Sequence, residues 1–482
     1  MLNLEPIQPK LHLDVLTGEQ VSAIQSATLD VLEHVGVCFP SERALAVFAE
    51  HGAEVDENSQ IVRLPADLVS EAMEHAPRSY VLGGRTEDAD LLVDGKTSYL
   101  ATDGCGVETL DFETRERRSS CKDDVAKMAR VSDYLSSISF YWPMVSAQDY
   151  GKTAPLHELD ASFSNTVKHV QTETVMGRRP AQYAVRMGEA IAGSAEAMRA
   201  RPPFSVLICT IAPLAQDKEG IEAGMVYAEA GIPVGFMAMP NMGATAPATP
   251  GGALVIGNAE VVSAMVLMQL VAPGAPVFHS ILASVMDPHT AEYIVGIPQK
   301  YLCNAAAVQL AHDWGVPTLA GAFGMDAEEP GSWQQGRDNT YTALLVPLVG
   351  ADLITGSGLL EASTLLVPEQ IILDDEVYHT NRVLLDGLAT DGESLALDVI
   401  FDVGPKGHFL AQDHTRQHLR DIWIPELTHP RPSPTGQPRE NLGQRARAEL
   451  QRILADHEPD PLPGAVRKEL KAILASAAKD LG

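Results

Sequence analysis

Basic residues are scarce in this chain. Lys and Arg number 35 against 64 Asp and Glu in 482 residues, a formal net charge of −29. A nucleic-acid binder needs a basic face to displace counterions, and an anionic membrane surface attracts basic segments. The charge balance argues against both partners. Cysteine is also sparse: Cys38, Cys105, Cys121, Cys209 and Cys303 form no CxxC pair. That spacing speaks against a metal finger and a disulfide framework, and a cytoplasmic location is expected. The opening MLNLEPIQPKLHLDVL lacks a basic stretch followed by an apolar run, so no signal peptide is expected. The most apolar stretch, Ala253 to Val271, is interrupted by Asn258, Glu260, Ser263 and Gln269, and reads as a buried helix rather than a membrane span. Aromatic residues make up only 5%. No GxGxxG follows the first strand, and no GxxxxGK[ST], GxSxG or HExxH occurs, so neither a bound nucleotide nor a resident metal is expected.

What is present is a globular composition, 45% hydrophobic and 21% charged, with 38 Gly and 32 Pro punctuating it. Residues 1–95 read as an α+β cap. Thr17 to Gln20 forms a capping box before the periodic run Val21, Ile24, Ala27, Val31, Leu32, Val35, and further helices are expected at Ser41–His51 and Pro65–Ala76. Over 96–387 short apolar runs alternate with helical segments. The runs are Tyr99–Val107, Ile138–Val145, His169–Val175, Phe204–Ala212, Pro233–Met239, Pro276–Leu282, Thr318–Gly324 and Asp352–Leu360. The helical segments are Lys122–Leu135, Leu156–Val167, Pro180–Ala192, Asp217–Ala230, Pro250–Val271, Pro298–Trp314, Gln334–Leu348 and Pro368–Leu385. Eight strand–helix units imply an α/β fold of the (β/α)8 TIM-barrel type. Residues 388–482 form a C-terminal extension: loop-like Gly404–His418, a proline-rich stretch from Pro425, then helices at Leu442–Ala455 and Gly464–Ala478. The extension is expected to pack on the barrel or on a neighbouring subunit, and self-association is expected.

A (β/α)8 barrel carries its site at the C-terminal ends of its strands. That rule selects Asp103 and Cys105, Trp142 and Gln148, Glu173, Thr210, Met239 and Asn241, His279 and Ser284, Phe323 and Asp326, and Gly356 and Glu361. The set has no metal-ligand spacing, although His279, Asp287 and His289 are near in sequence, and a lone strand-end His is more often structural. Cys105 and Cys209 read as core rather than as nucleophiles. The aromatics Trp142, Phe323, Trp333 and Tyr341 suggest a cation cage, because ring faces attract quaternary ammonium.

These residues sit in a chain that resembles the trimethylamine methyltransferase family, in its branch without pyrrolysine. The resemblance rests on Leu29–Val37, Tyr99–Val107, Asp287–Pro298 with Ala305–Pro317, Gly350–Leu360 and Pro368–Glu376. It is strongest at Gly407-His-Phe-Leu410, His414, Thr415, His418, Arg420, Trp423 and Pro425. It implies a methyltransferase that takes a methyl group from a quaternary amine, glycine betaine or a similar betaine, and passes it to cob(I)alamin. The corrinoid, the implied cofactor, is carried by a separate corrinoid-binding protein. The cobalt would be the nucleophile and a neutral tertiary amine the leaving group, so no catalytic side-chain acid or base is expected. The substrate-binding residues expected are Trp142, Glu173, His279, Phe323, Trp333, Gln334, Arg337 and Tyr341, with Arg337, His279 and Asn304 as donors to a substrate carboxylate. The chain departs from the family's Asp-x-Gln-x-Gly-x-Glu pattern at Ser332–Asp338, where Gln334 and Gly336 match, Ser332 replaces the acid and Asp338 the Glu. Two other readings remain open here: a betaine-binding protein without catalysis, and a metal-dependent hydrolase or lyase on the same barrel.

Overall fold

The computed structural model describes residues 3–324, 326–429 and 440–482. The proline-rich stretch expected from Pro425 lies outside these residues from position 430 to its end, as does Met325 at the start of the acidic loop.

Eight strands form the barrel: β1 (Tyr99–Thr102), β2 (Ile138–Tyr141), β3 (His169–Thr172), β4 (Phe204–Ile211), β5 (Val234–Ala238), β6 (Val277–Ile281), β7 (Leu319–Gly321) and β8 (Leu353–Ser357). Each falls within one of the eight apolar runs. Neighbours pair in parallel, with Leu100 opposite Ile138, His169 opposite Phe140, Val170 opposite Phe204, Val206 opposite Val234 and Val234 opposite Val277. A parallel bridge from His279 to Thr318 joins β6 to β7, Leu319 lies opposite Leu353, and Leu353 pairs with Tyr99 to close the ring. Parallel strands covered on both faces need apolar residues at successive positions, which is why they read as runs rather than as alternation.

The outer layer is α1 (Lys122–Tyr134), α2 (Ala154–Asn165), α3 (Arg178–Ala192), α4 (Lys218–Ala230), α5 (Pro250–Val271), α6 (Pro298–Asp313), α7 (Trp333–Leu348) and α8 (Gln370–Leu385). Helix α5 is long and apolar enough to cross a membrane, yet most of it is buried in this layer. Its four polar residues are all buried and bonded. Asn258 donates to Gln25 Oε1 (2.8 Å) and Thr28 Oγ1 (3.0 Å), Glu260 accepts from Thr210 Oγ1 (2.5 Å), Ser263 donates to Glu260 O (2.9 Å) and Gln269 donates to Ala275 O (2.8 Å). Lipid offers no partners to such groups; here neighbouring elements hold Asn258, Glu260 and Gln269, and the helix's own carbonyl holds Ser263.

The capping box forms as read: Thr17 Oγ1 accepts from Gln20 N at 3.3 Å and Gln20 Oε1 from Thr17 N at 2.9 Å. The helix that it starts, Gly18–His34, packs on α5. A hairpin of Tyr80–Leu82 and Leu91–Val93 fills the N-terminal end of the barrel, where Leu82, Leu91 and Val93 join one core with Tyr99, Phe140, Leu207 and Phe278. The C-terminal helix Leu442–Asp456 packs on α1 and α8, and Gly464–Leu481 on α3. Between α8 and those helices the described residues form three short helices, Gly392–Leu395, Leu397–Val403 and Asp413–His418, the last inside the segment read as loop.

Candidate functional site

A cavity of about 130 Å³ lies at the C-terminal ends of the strands. Asp103 and Gly104 follow β1, Trp142 follows β2, Glu173 follows β3, Leu282 follows β6 and Phe323 follows β7. Met237 lies on β5 and Thr355 and Gly356 on β8, while Tyr293, Val295 and Lys300 come from the connection into α6 and its first turn. The ends of seven of the eight strands, all but β4, and the loops after them supply the lining, so positions far apart in sequence meet around one small space.

The walls are packed closely. A Cβ on Gly104 would lie 2.3 Å from Trp142 Nε1, so only glycine lets the backbone lie against the indole. Gly324 has φ +70°, and a Cβ there would meet Asp103 Oδ2 at 2.5 Å. This glycine lets the chain after β7 approach the carboxylate.

Two carboxyl groups and one amine share the cavity. Asp103 accepts from Gly104 N at 3.0 Å and from Ser363 Oγ, and burial raises its pKa to about 6 against the pull of those bonds and of Lys300. Glu173 is half-buried; among the described residues it accepts from Cys209 Sγ, at 3.3 Å on Oε1, while its Oε2 is sealed from solvent without a partner. Burial first, then the charges of Asp103 and Glu158, push its pKa up to about 7. Lys300 is brought down to about 8 by burial, partly offset by Asp103, Asp326 and Asp338. The two nearby thiols, Cys105 and Cys209, are pushed well above the ordinary thiol range by burial and by these carboxylates. They stay protonated and are poor nucleophiles. Burying two carboxyl groups with one ammonium is costly unless something completes the charge balance. Trp142 and Phe323 provide ring surface in the same space, and Met239, partly exposed, stands at its edge.

Of the residues expected from the sequence, Trp142, Glu173 and Phe323 line this cavity. The others lie elsewhere. His279 is buried with Nε2 at 3.0 Å from Asn258 Oδ1 on α5, and burial lowers its pKa to about 3. Strand residues alternate in direction, and β6 turns Phe278 inward and His279 toward the helices. Asn304 donates to Gly321 O at 2.9 Å and ties α6 to β7. The segment Ser332–Asp338 is the N-cap and first two turns of α7, capped by Ser332 Oγ, which accepts from Gln335 N at 3.2 Å. That cap turns Trp333 (84% exposed), Gln334 and Arg337 to the surface, and Tyr341 lies on the same exposed side. Arg337 pairs with Asp338, whose Oδ1 also accepts from Tyr301 Oη at 2.8 Å. Through its charge on Lys300, Asp338 is the part of the segment that bears on the cavity.

Sequence reasoning placed Asp103 among the strand ends, and it missed Lys300 and Tyr293. Lys300 had a signal. A lysine in the first turn of a helix opposes the macrodipole and calls for a local reason. Among the described residues, no three His, Cys, Asp or Glu side chains converge as a metal-holding group.

Fold and site together define a (β/α)8-barrel enzyme with a buried, charge-bearing cavity at the strand C-termini. The chain belongs to the trimethylamine methyltransferase (MTTB) family, whose sequence model matches residues 4–482, and it is a methyltransferase of that family. It is 34% identical to the trimethylamine methyltransferase MttB of Desulfitobacterium hafniense, over 97% of this chain and 94% of that protein. It is 29% identical to a glycine betaine methyltransferase of the same species, over 97% of this chain and 98% of that protein. Among solved structures it is similar to the monomethylamine methyltransferase of Methanosarcina barkeri, at 11% identity and a TM-score of 0.47, covering 91% of this chain and 92% of that one.

Proposed function

We propose that this protein takes a methyl group from a quaternary amine that also carries a carboxylate, a betaine, and delivers it to a corrinoid on a separate carrier protein. The observation that carries the reading is the charge inventory of the cavity: Glu173 with a free carboxyl oxygen, the rings of Trp142 and Phe323, and Lys300 in the same small space. Glycine betaine methyltransferase and trimethylamine methyltransferase among its relatives are consistent with methylated amines as the substrate class.

The cation would lie against Trp142 and Phe323, each ring contributing roughly 0.5–2 kcal/mol once desolvated. Glu173 would ionise as the cation enters, since a positive charge nearby favours the charged carboxylate. Lys300 would receive the substrate carboxylate, the task that the sequence alone suggested for Arg337, His279 and Asn304. A quaternary ammonium leaves as a neutral amine, so the step needs no proton donor. The thiols of Cys105 and Cys209, held protonated, leave the cavity without a side-chain nucleophile of its own. A cobalt(I) corrinoid reaching the open end of the barrel would supply it. The chain's share of catalysis is then to desolvate the cation, hold it, and fix which methyl faces outward.

The test is anaerobic turnover of cob(I)alamin, free and on a carrier protein, with glycine betaine, longer betaines, choline and trimethylamine. Methylcobalamin formation with a betaine is the expected result. Turnover only with trimethylamine would replace the betaine assignment, and silence across the panel with the carrier present would overturn the reading.

A further inference from the structure

Residues 388–424, between α8 and the last two helices, bury none of their side chains on the described body of the chain. Eleven large apolar side chains there are exposed, among them Leu388 (95%), Phe401 (75%), Leu410 (85%), Leu419 and Trp423. The hydrogen bonds described for the segment run within it, as in His414 Nε2 to Glu393 O at 3.0 Å and the capping of Ser394 N by Asp391 Oδ1 at 3.0 Å. Helices of four, seven and six residues are too short to hold themselves in water and need a packed face.

A second exposed apolar surface lies on the barrel wall. Leu302 on α6 and Tyr341, Leu344, Leu345 and Leu348 on α7 line a groove of about 500 Å³. We propose that the 388–424 arm of one copy of this chain lies in the α6–α7 groove of a second copy, and the reverse, in a two-fold exchange.

Two observations select a second copy as the occupant. The first is area. Eleven exposed apolar side chains at roughly 80–120 Å² each supply about 1,000 Å² per arm, above the roughly 800 Å² per partner of a stable interface. One chain carries both the projecting and the receiving surface, so a two-fold axis satisfies both at once. The second is position. The arm leaves from the C-terminus of α8, where Leu385 O accepts from Lys10 N at 2.9 Å. The adjoining N-terminal segment binds just ahead of β1 and β2, with Ile7 N to Ser98 O at 3.0 Å and Glu5 N to Ser136 O at 2.9 Å. The arm is therefore rooted at the N-terminal ends of the strands, opposite the cavity, and a carrier protein serving the cavity has no call on its root.

The experiment is sedimentation velocity on the full chain at micromolar concentration. Three samples accompany it: an arm variant (Phe401→Asp with Leu410→Asp), a groove variant (Leu302→Asp with Leu344→Asp), and their equimolar mixture. Circular dichroism checks that each is folded. The wild type is expected to sediment as at least two copies, each variant as a single copy with an unchanged spectrum, and the mixture as a two-copy species, because one intact arm then meets one intact groove. A wild type of single-copy mass would overturn the proposal. So would an arm variant that keeps the wild-type mass, a groove variant that does so, or a mixture that stays monomeric. An arm variant of unchanged mass that no longer works with the carrier protein would also overturn it, and would assign the arm to the carrier instead.

Discussion

Two lysines are buried in this barrel, Lys168 ahead of β3 and Lys300 at the cavity, and they lie at opposite ends of the strands. Lys168 gives its three donors to carbonyls: Ser132 O at 2.6 Å, Leu135 O at 2.7 Å and Ile138 O at 2.6 Å. Lys300 sits instead among carboxylates, Asp103 in the cavity and Asp326 and Asp338 behind it. The carboxylates divide in the same way. Glu158 accepts from Ser146 Oγ (2.7 Å), Ala147 N (3.1 Å) and Thr174 Oγ1, whereas Glu173 keeps Oε2 without a protein partner. Both lysines are buried, and the two glutamates differ in their partners: Glu158 carries a full set and holds the fold, whereas half-buried Glu173 keeps one carboxyl oxygen without a partner among the described residues.

The sharpest way to test that contrast is Glu173→Gln. It should lower kcat/KM for a quaternary amine by ~100-fold or more, about 3 kcal/mol of lost charge stabilisation, with the melting temperature kept or raised. A large loss of stability would place Glu173 with Glu158 instead. Next in size is Lys168→Met, which strands three buried carbonyls and should cost ~2–4 kcal/mol in urea unfolding while activity per folded molecule holds. Lys300→Met should raise KM for a betaine about 10-fold, near 1.4 kcal/mol for a lost charge-assisted contact. The same variant should change KM for choline, which lacks the carboxylate, by less than about 3-fold.

The smallest effect is on pH. With its pKa raised to about 7, Glu173 is largely protonated at pH 6 and ionised at pH 8. KM for a quaternary amine should fall several-fold between those values, and the dependence should vanish in Glu173→Gln. For the empty enzyme the sign is opposite. A carboxyl whose folded pKa lies above its ordinary 4.5 binds more protons when folded, so stability falls as pH rises from about 4.5 through about 7. Bound cation should remove much of that loss, readable as a melting-temperature gain that grows with pH.

The reading of the elements and the reading of the site fared differently for a physical reason. The eight strands and their helices are local: each is written in a run of successive apolar residues or a 3.6-residue period, as in β4 or α1. Strand-end position was enough to bring Trp142, Glu173 and Phe323 to one cavity. It failed for His279, because a one-residue step along β6 exchanges the inside of the barrel for the helix layer. Trp333, expected as a cage aromatic, lies on the surface, because the Ser332 cap sets where α7 begins and therefore which way its first residues point. Lys300 was hidden because its role depends on Asp103, nearly two hundred positions earlier. The segment that most strongly carries the family resemblance, Gly407 to Pro425, lies on the exposed arm and not at the cavity.

By itself the sequence determined the order and kind of the elements, the burial of α5 despite its hydropathy, the capping of the first helix and the acidic balance. These depend on neighbours in the chain and on composition, where side-chain periodicity and backbone hydrogen bonding act directly. Only the tertiary structure decided which face of each strand looks inward, which carboxylates are left without partners, and that residues 388–424 stand away from the body. Those outcomes depend on closing the barrel. Closure sets every strand's register against its neighbours, and burial then acts on groups that no local pattern brings together.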